Sequence, residues 1–288
     1  MPPRRPGRHL VDRTSPLRVL LFANHWLGYE VLEGLLELGE RPTVVVAPPG
    51  DPGETIFWPS VRELAEACGL QIYESPSPAH ARFLAEVTRP AVIYSAGWRF
   101  LFTKETLAIP RHGAWNFHPS ALPEYRGRCP VNWQIIEGKE TGRVTLHRMV
   151  ERADAGDVAG SLVYSLKGGA LRAHINAAQA ARSLLWLHKD IMSDQIDTRP
   201  MAELPPSYPG RTLEDGRLHP DRMTADEMHR MVQAVGYPYR GAPLTFGSKE
   251  FLVHRTSLAI PSAMSLWIHG CDGAPLYIIG AKEITCEI

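Results

Sequence analysis

The apolar positions of this 288-residue chain fall into two kinds of run. "LRVLLFA" from Leu17, "TVVVA", "LQIY" and "AVIYSAG" are short and continuous, the pattern of strands buried on both faces. Between them, "LGYEVLEGLLELG", "SVRELAEACG" and "HARFLAEVTR" repeat at the spacing of amphipathic helices, the first with Gly39 as its stop. Strand and helix alternating in this rhythm predict parallel pairing with right-handed crossovers. The first half therefore reads as a doubly wound, mostly parallel, Rossmann-like α/β domain. Farther on, "AWNFH" and "RVTLHRMV" read as strands, "ADAGDVAGSLVYSL" as a loop entering another, and "LRAHINAAQAARSLLWLHKDIM" as one long helix. "ELPPSYPGRTLEDGRLHPD" then loses apolar periodicity and suits a linker. Beyond it, "TADEMHRMVQAV" predicts a helix with Thr224 as N-cap, Glu227 completing a capping box, and Met228, Met231, Val232 and Val235 on one face. The strand candidates "APLTF", "EFLVHR" and "APLYIIG" follow it. The expected organisation is a disordered leader over 1–16, an α/β domain over 17–200, a linker over 201–222 and a small, mostly β module over 223–288.

Sheets of this kind place ligands beyond the carboxyl ends of their strands. The candidates there are "NHWLG", "PPGDPGE" and "SAGWR". None is Gly-x-Gly-x-x-Gly, and no phosphate-binding Gly-x-x-x-x-Gly-Lys-Ser/Thr occurs. Charge and cysteines narrow the picture further. Lys and Arg total 31 against 31 Asp and Glu, so no global field points to nucleic acid or an anionic membrane. The cysteines Cys68, Cys129, Cys271 and Cys286 form no Cys-x-x-Cys pair and read as reduced thiols. With no signal-peptide core and no apolar run of roughly 20 residues, a cytoplasmic protein is expected.

The segment from Trp115 to Trp133, "WNFHPSALPEYRGRCPVNW", breaks the rhythm. A helix cannot span Pro119, Pro123 and Pro130 at this spacing, and a regular strand would lose a ladder donor at each. At its start Asn116 and His118 are two apart, so on a strand they share a face while Phe117 takes the other. An amide donor beside an imidazole suits acyl transfer: the amide can bond a developing oxyanion, and the imidazole can take a proton from an attacking nucleophile. Asp154, in "RADAGD", could supply a carboxylate that orients the imidazole. Each feature also has a plainer reading. A lone histidine at a strand end more often serves structure than chemistry, and Asp154 and Asp157 could equally be turn residues around Gly156. A metal site on His112, His118 and Asp154 lacks any compact ligand motif, so no metal is expected.

At these residues the sequence resembles the 10-formyltetrahydrofolate-dependent formyltransferase family. The likeness is carried by Asn116, His118, "HPSALPEYRG", "ETGRVTLH" and "ADAGDV", in that order, and runs from Leu17 to Ile279, including "CDGAPLYII", which is similar to the family's OB-like C-terminal module. The resemblance implies a catalytic triad of Asn116, His118 and Asp154. It implies attack of a substrate amine on the formyl carbon of N10-formyltetrahydrofolate, with tetrahydrofolate as product. It also implies that the folate lies against Ser95, Gly97, Trp98, Arg99, Phe100 and Leu101 and the Asp154 loop. Trp98 could equally be core packing. A pterin is not a pyrophosphate, which accounts for the missing glycine motif.

The acceptor is narrowed by differences within the family. Methionyl-tRNA formyltransferases resemble this chain across the triad but carry a basic loop after the second strand. Here that place is held by "DPGETIFWPSV", acidic and aromatic, which disfavours a nucleic-acid partner. With "YRGRCPVNW" and "AVGYPYRGA" it is closest to the enzymes that formylate nucleotide-linked amino sugars. Arg126 and Arg128 would then meet substrate phosphate or carboxylate, and Tyr125 and Trp133 would line the sugar side, although each could instead brace the loop. "SAGWR" departs from the "Ser-Phe-Tyr-Tyr-Arg" common in that group. Formylation of a hydroxyornithine-type siderophore amine or another natural-product amine remains open, as do formyltetrahydrofolate hydrolysis and a non-catalytic folate-binding role. A homodimer through the C-terminal module is compatible with the pattern.

Overall fold

The computed structural model describes residues 19–47, 56–201, 203–262 and 266–284. The expected leader and most of the acidic loop after the second strand lie outside them. In chain order the elements are β1 (Val19–Ala23), α1 (His25–Glu37), β2 (Thr43–Val46), α2 (Val61–Ala67), β3 (Ile72–Glu74), α3 (Pro78–Thr88), β4 (Val92–Ala96), α4 (Lys104–Leu107) and β5 (Ala114–His118). There follow α5 (Pro130–Ile136), β6 (Thr141–Arg148), β7 (Val158–Ser165), α6 (Gly169–Ser183), α7 (His188–Met192), α8 (Ala225–Val235), β8 (Ala242–Phe246), β9 (Lys249–Ser257), β10 (Leu266–His269) and β11 (Pro275–Ile284).

The continuous apolar runs form the centre of a seven-stranded sheet in the order β3-β2-β1-β4-β5-β6-β7. The first five strands in that order are parallel, and β6 and β7 are added antiparallel. Every residue of β1, β2 and β4 is buried, as strands covered on both faces require. One face packs against α1 and α6 through Leu21, Val31, Leu35, Tyr94, Trp115, Phe117 and Ala177. The other gathers Leu20, Phe22, Ile93 and Ala114 against Ala81, Leu84 and Ala85 of α3.

Two expected elements differ in shape. The long helix after β7 breaks: α6 ends at Ser183, a 3-10 turn takes Leu184–Leu187, and α7 resumes at His188. Leu184, Leu185 and Leu187 are all buried while Trp186 is exposed, and the tighter turn lets three of four consecutive apolar residues reach the core. The proline-rich segment also contains a short helix, α5, which opens on Pro130. That position has no use for an N–H, so the proline begins the helix instead of breaking it.

The C-terminal part is an antiparallel four-stranded sheet in the order β10-β11-β9-β8. Helix α8 has the expected capping box at Thr224 and Glu227, and it buries Met228 and Val232 in a second core with Leu244, Val253, Leu276 and Ile278. β10 was not anticipated. The segment expected to be a linker does not run clear of the α/β part: Tyr208 forms a parallel bridge with Gly127, and Trp133 of α5 donates to the Pro209 carbonyl. None of the helices among the described residues is long and apolar enough to cross a membrane.

Candidate active site

β5 places the site. Its Trp115 and Phe117 go to the core shared with α1 and α6, so alternation turns Asn116 and His118 to the opposite face. Pairing then sets their neighbours: Ser95 of β4 and His147 of β6 flank Asn116, and Thr145 of β6 lies opposite His118. The loop from β6 to β7 folds back over this row and carries Asp154 in a left-handed conformation, φ 48°, which aspartate tolerates better than most residues. Close approach of this loop to β6 requires Gly156, because a β-carbon there would collide with the Arg148 carbonyl oxygen.

The three side chains expected to act together do meet. Asp154 Oδ1 lies 3.4 Å from His118 Nδ1 and 3.5 Å from Asn116 Nδ2. Asp154 Oδ2 accepts the Gly127 N–H at 3.0 Å. His118 Nε2 donates to the Tyr125 carbonyl at 3.0 Å, an acceptor only, so Nδ1 is the basic nitrogen of the neutral ring and it faces the carboxylate. Burial pushes the His118 pKa down against the opposing pull of Asp154 and the Tyr125 carbonyl. Burial also raises the Asp154 carboxyl, but His118, then His147 and the Gly127 N–H outweigh it and hold it well below the usual carboxylate range. The result is a neutral imidazole beside a fixed negative charge. A proton arriving at Nδ1 meets a partner already in place.

Asn116 Nδ2 donates at 3.2 Å to His147 Nε2. Its contact to Asp154 is at the outer limit of a hydrogen bond, so its second amide hydrogen is the one left for a ligand oxygen. His147 was not singled out from sequence. Only the β5–β6 register brings it opposite Asn116, and "TLHR" carries no mark of that register. His112, by contrast, is paired with Asp194 at 2.8 Å and takes the Arg111 Nε–H, away from this cluster. No group of three or more His, Cys, Asp or Glu side chains among the described residues is arranged to hold a metal ion.

The loop after His118 is held in part by side chains of α5, β6 and β7. Thr145 Oγ1 donates to the Ser120 carbonyl, and Gln134 and Tyr164 both donate to that of Pro119. The four residues expected on the substrate side have these partners within the protein. Arg126 is 2 % exposed, and its Nε, Nη1 and Nη2 donate to the carbonyls of Asp154, Pro205 and Ala153 at 3.0, 2.9 and 2.6 Å. It braces the Asp154 loop, and its donors are not directed to a substrate anion. Tyr125 and Tyr208 stack at 5.1 Å and both donate their hydroxyls to Glu137. Trp133 donates to the Pro209 carbonyl, with the Arg211 guanidinium 4.4 Å above its ring. Arg128 is exposed, beside Gly210, and its backbone N–H donates to the Tyr208 carbonyl.

The stretch expected to meet the folate is set by a tight turn. Gly97 has φ 73°, and a β-carbon there would collide with the Asn24 carbonyl oxygen. Ser95 is buried beside Asn116, whereas Arg99 and Leu101 are exposed. Trp98 turns into the core, edge-on to Phe22 at 4.9 Å and to Phe100 at 5.5 Å, so it anchors the turn behind the sheet.

A formyl transferase family model matches residues 61–163, a span that includes β5, the proline loop, β6, the Asp154 loop and most of β7. This part of the chain is similar to the formyl transferase family. The fold of the whole chain is also that of solved formyltransferases. WlaRD, a sugar 3N-formyl transferase solved in the presence of dTDP and 5-N-formyl-THF, is 16 % identical with a TM-score of 0.70, over 94 % of this chain and 98 % of its own. An N-formyltransferase from Helicobacter canadensis, in complex with folinic acid and dTDP-3-aminofucose, is 14 % identical with a TM-score of 0.70, over 93 % and 100 %. Methionyl-tRNA formyltransferase from Clostridium thermocellum is 14 % identical with a TM-score of 0.60, over 92 % and 97 %.

Proposed function

We propose that this protein transfers the formyl group of N10-formyltetrahydrofolate to a primary amine of a nucleotide-linked amino sugar. The observation that carries this reading is the convergence of Asn116 and His118 on Asp154 at the end of β5. The donor set fits a formyl folate: an amide hydrogen for the formyl oxygen, a basic nitrogen for the amine proton, and a carboxylate beside it. The folate supplies an activated one-carbon carbonyl. The new C–N bond forms to the amine, the bond to N10 breaks, and the proton lost by the amine ends on N10. His118 Nδ1 is the atom that holds this proton in transit. Asp154 stabilises the imidazolium so formed, and Asn116 Nδ2 stabilises the charge that develops on the formyl oxygen.

Two features favour an amino-sugar acceptor over a tRNA. The "DPGE" stretch at Asp51–Glu54 is acidic where phosphate contacts would need cations. The proteins solved with dTDP or a dTDP-amino sugar match this fold with a TM-score of 0.70, against 0.60 for the methionyl-tRNA formyltransferase. Of the residues around the proline loop, Arg128 is best placed to reach a phosphate. Incubation with 10-formyltetrahydrofolate and a panel of dTDP- and UDP-amino sugars tests the reading, with tetrahydrofolate release and the product mass as readouts. Turnover with one member of the panel is expected, and His118→Ala or Asp154→Ala should lower it at least about a hundredfold. No release with any of them, or full activity in either variant, overturns it.

A further inference from the structure

The site contains a second buried imidazole that the formyl-transfer scheme does not use. His147 is 1 % exposed and stands directly across the β5–β6 ladder from Asn116, on the same face. Its Nδ1 donates to the Arg148 carbonyl at 3.0 Å, which leaves Nε2 as an acceptor in the neutral ring. Nε2 then receives Asn116 Nδ2 at 3.2 Å and lies 3.5 Å from Asp154 Oδ1. The same carboxylate oxygen is thus almost equidistant from two imidazoles, with His118 at 3.4 Å.

We propose that His147 is a positioning residue of this site, which fixes the amide of Asn116 and keeps the Asp154 carboxylate for His118. This rests on the formyl-transfer reading. The first half of the role follows from acceptor and donor matching. An Asn116 amide turned by half a rotation would set its oxygen against the Nε2 lone pair, two acceptors in contact, so the neutral ring holds the amide nitrogen inward. The second half follows from charge. Two imidazoliums cannot share one carboxylate oxygen without repelling each other, so a neutral His147 directs the charge of Asp154 to His118. The charged and titratable groups acting on His118 are Asp154, His147 and the Arg126 guanidinium, and the Tyr125 carbonyl caps its other nitrogen.

Two variants test this. His147→Leu removes the acceptor for Asn116, and His147→Gln offers an amide oxygen near the same place. The leucine variant is expected to lower kcat about 10- to 100-fold with KM for folate and amine within about threefold, and the glutamine variant to recover most of it. In both, the acid limb of the kcat profile should move to higher pH, because the His147 ring, which opposes protonation of His118, is gone. Ring 15N shifts of His118, titrated without substrate in the wild type and in His147→Gln, read the same coupling without turnover. This keeps the outcome separate from the choice of acceptor. An unmoved His118 midpoint, or a His147 ring found with its proton on Nε2 at neutral pH, overturns the proposal. So does a leucine variant that loses only thermal stability.

Discussion

Replacing Arg126 by methionine separates two roles that the sequence left open for it. In the structure its three nitrogens donate to the carbonyls of Asp154, Ala153 and Pro205, and the side chain is buried. Methionine fills similar space but donates nothing, so three carbonyls lose their partners. Each buried group so orphaned costs about 1–3 kcal/mol. Pro205 sits in an exposed segment where water can substitute, so the lower figure applies there, and the sum is at least about 3 kcal/mol. For a chain of this size that corresponds to a fall in melting temperature of at least about 6 °C, with about 2 °C or more per kcal/mol. Thermal unfolding followed by circular dichroism measures it, and kcat and KM for the acceptor are taken below the transition. A brace predicts a lower melting temperature with a fall in kcat, because the Asp154 loop loosens. A phosphate partner predicts a raised KM for the nucleotide with stability unchanged. A melting temperature within about 1 °C of the wild type refutes the brace.

Two further outcomes follow from the same site. Asp154 has a folded pKa below that of the unfolded chain, so its stabilising contribution is complete above the unfolded value and is lost as pH falls through the folded one. In urea unfolding, the stability gap between the wild type and Asp154→Asn should therefore be present at pH 7 and close as pH falls below about 4; a gap that widens on acidification contradicts this. Gly156→Ala places a methyl group against the Arg148 carbonyl and must shift the loop that carries Asp154. It should cost about 1–3 kcal/mol and at least tenfold in kcat, and normal activity would mean the loop has room that the structure does not give it.

The parallel half of the sheet was legible because burial on both faces writes itself as continuous apolar runs, and β1, β2 and β4 fall within them. Helix α8 was legible from its capping box, a signal confined to four residues. Asn116, His118 and Asp154 were legible as candidates because the first two share a strand period and the third sits in a glycine turn. What the sequence did not carry was register. His147 joins the site only through the pairing of β5 with β6, and the partners of Arg126 lie in segments 27 and 79 residues away. An arginine next to a glycine in a proline-rich loop looks the same whether it meets a phosphate or three carbonyls. The break after α6 was hidden for a related reason: a run of leucines satisfies a helical pattern and a 3-10 turn equally.

The bridge between Tyr208 and Gly127 bears on how the chain can be taken apart. Gly127 gives its N–H to Asp154, Arg126 spans from Asp154 to Pro205, and Tyr208 meets Tyr125 at Glu137. The stretch that joins the two sheets is thus part of the scaffold around the reacting groups. An excised α/β half ending near residue 200 would lack these partners and would not be a minimal enzyme. A chimaera that exchanges the C-terminal sheet for another has to keep α8 with the α/β half, because Asn132 of α5 donates to the Ala234 carbonyl and Arg230 of α8 donates to that of Ile136.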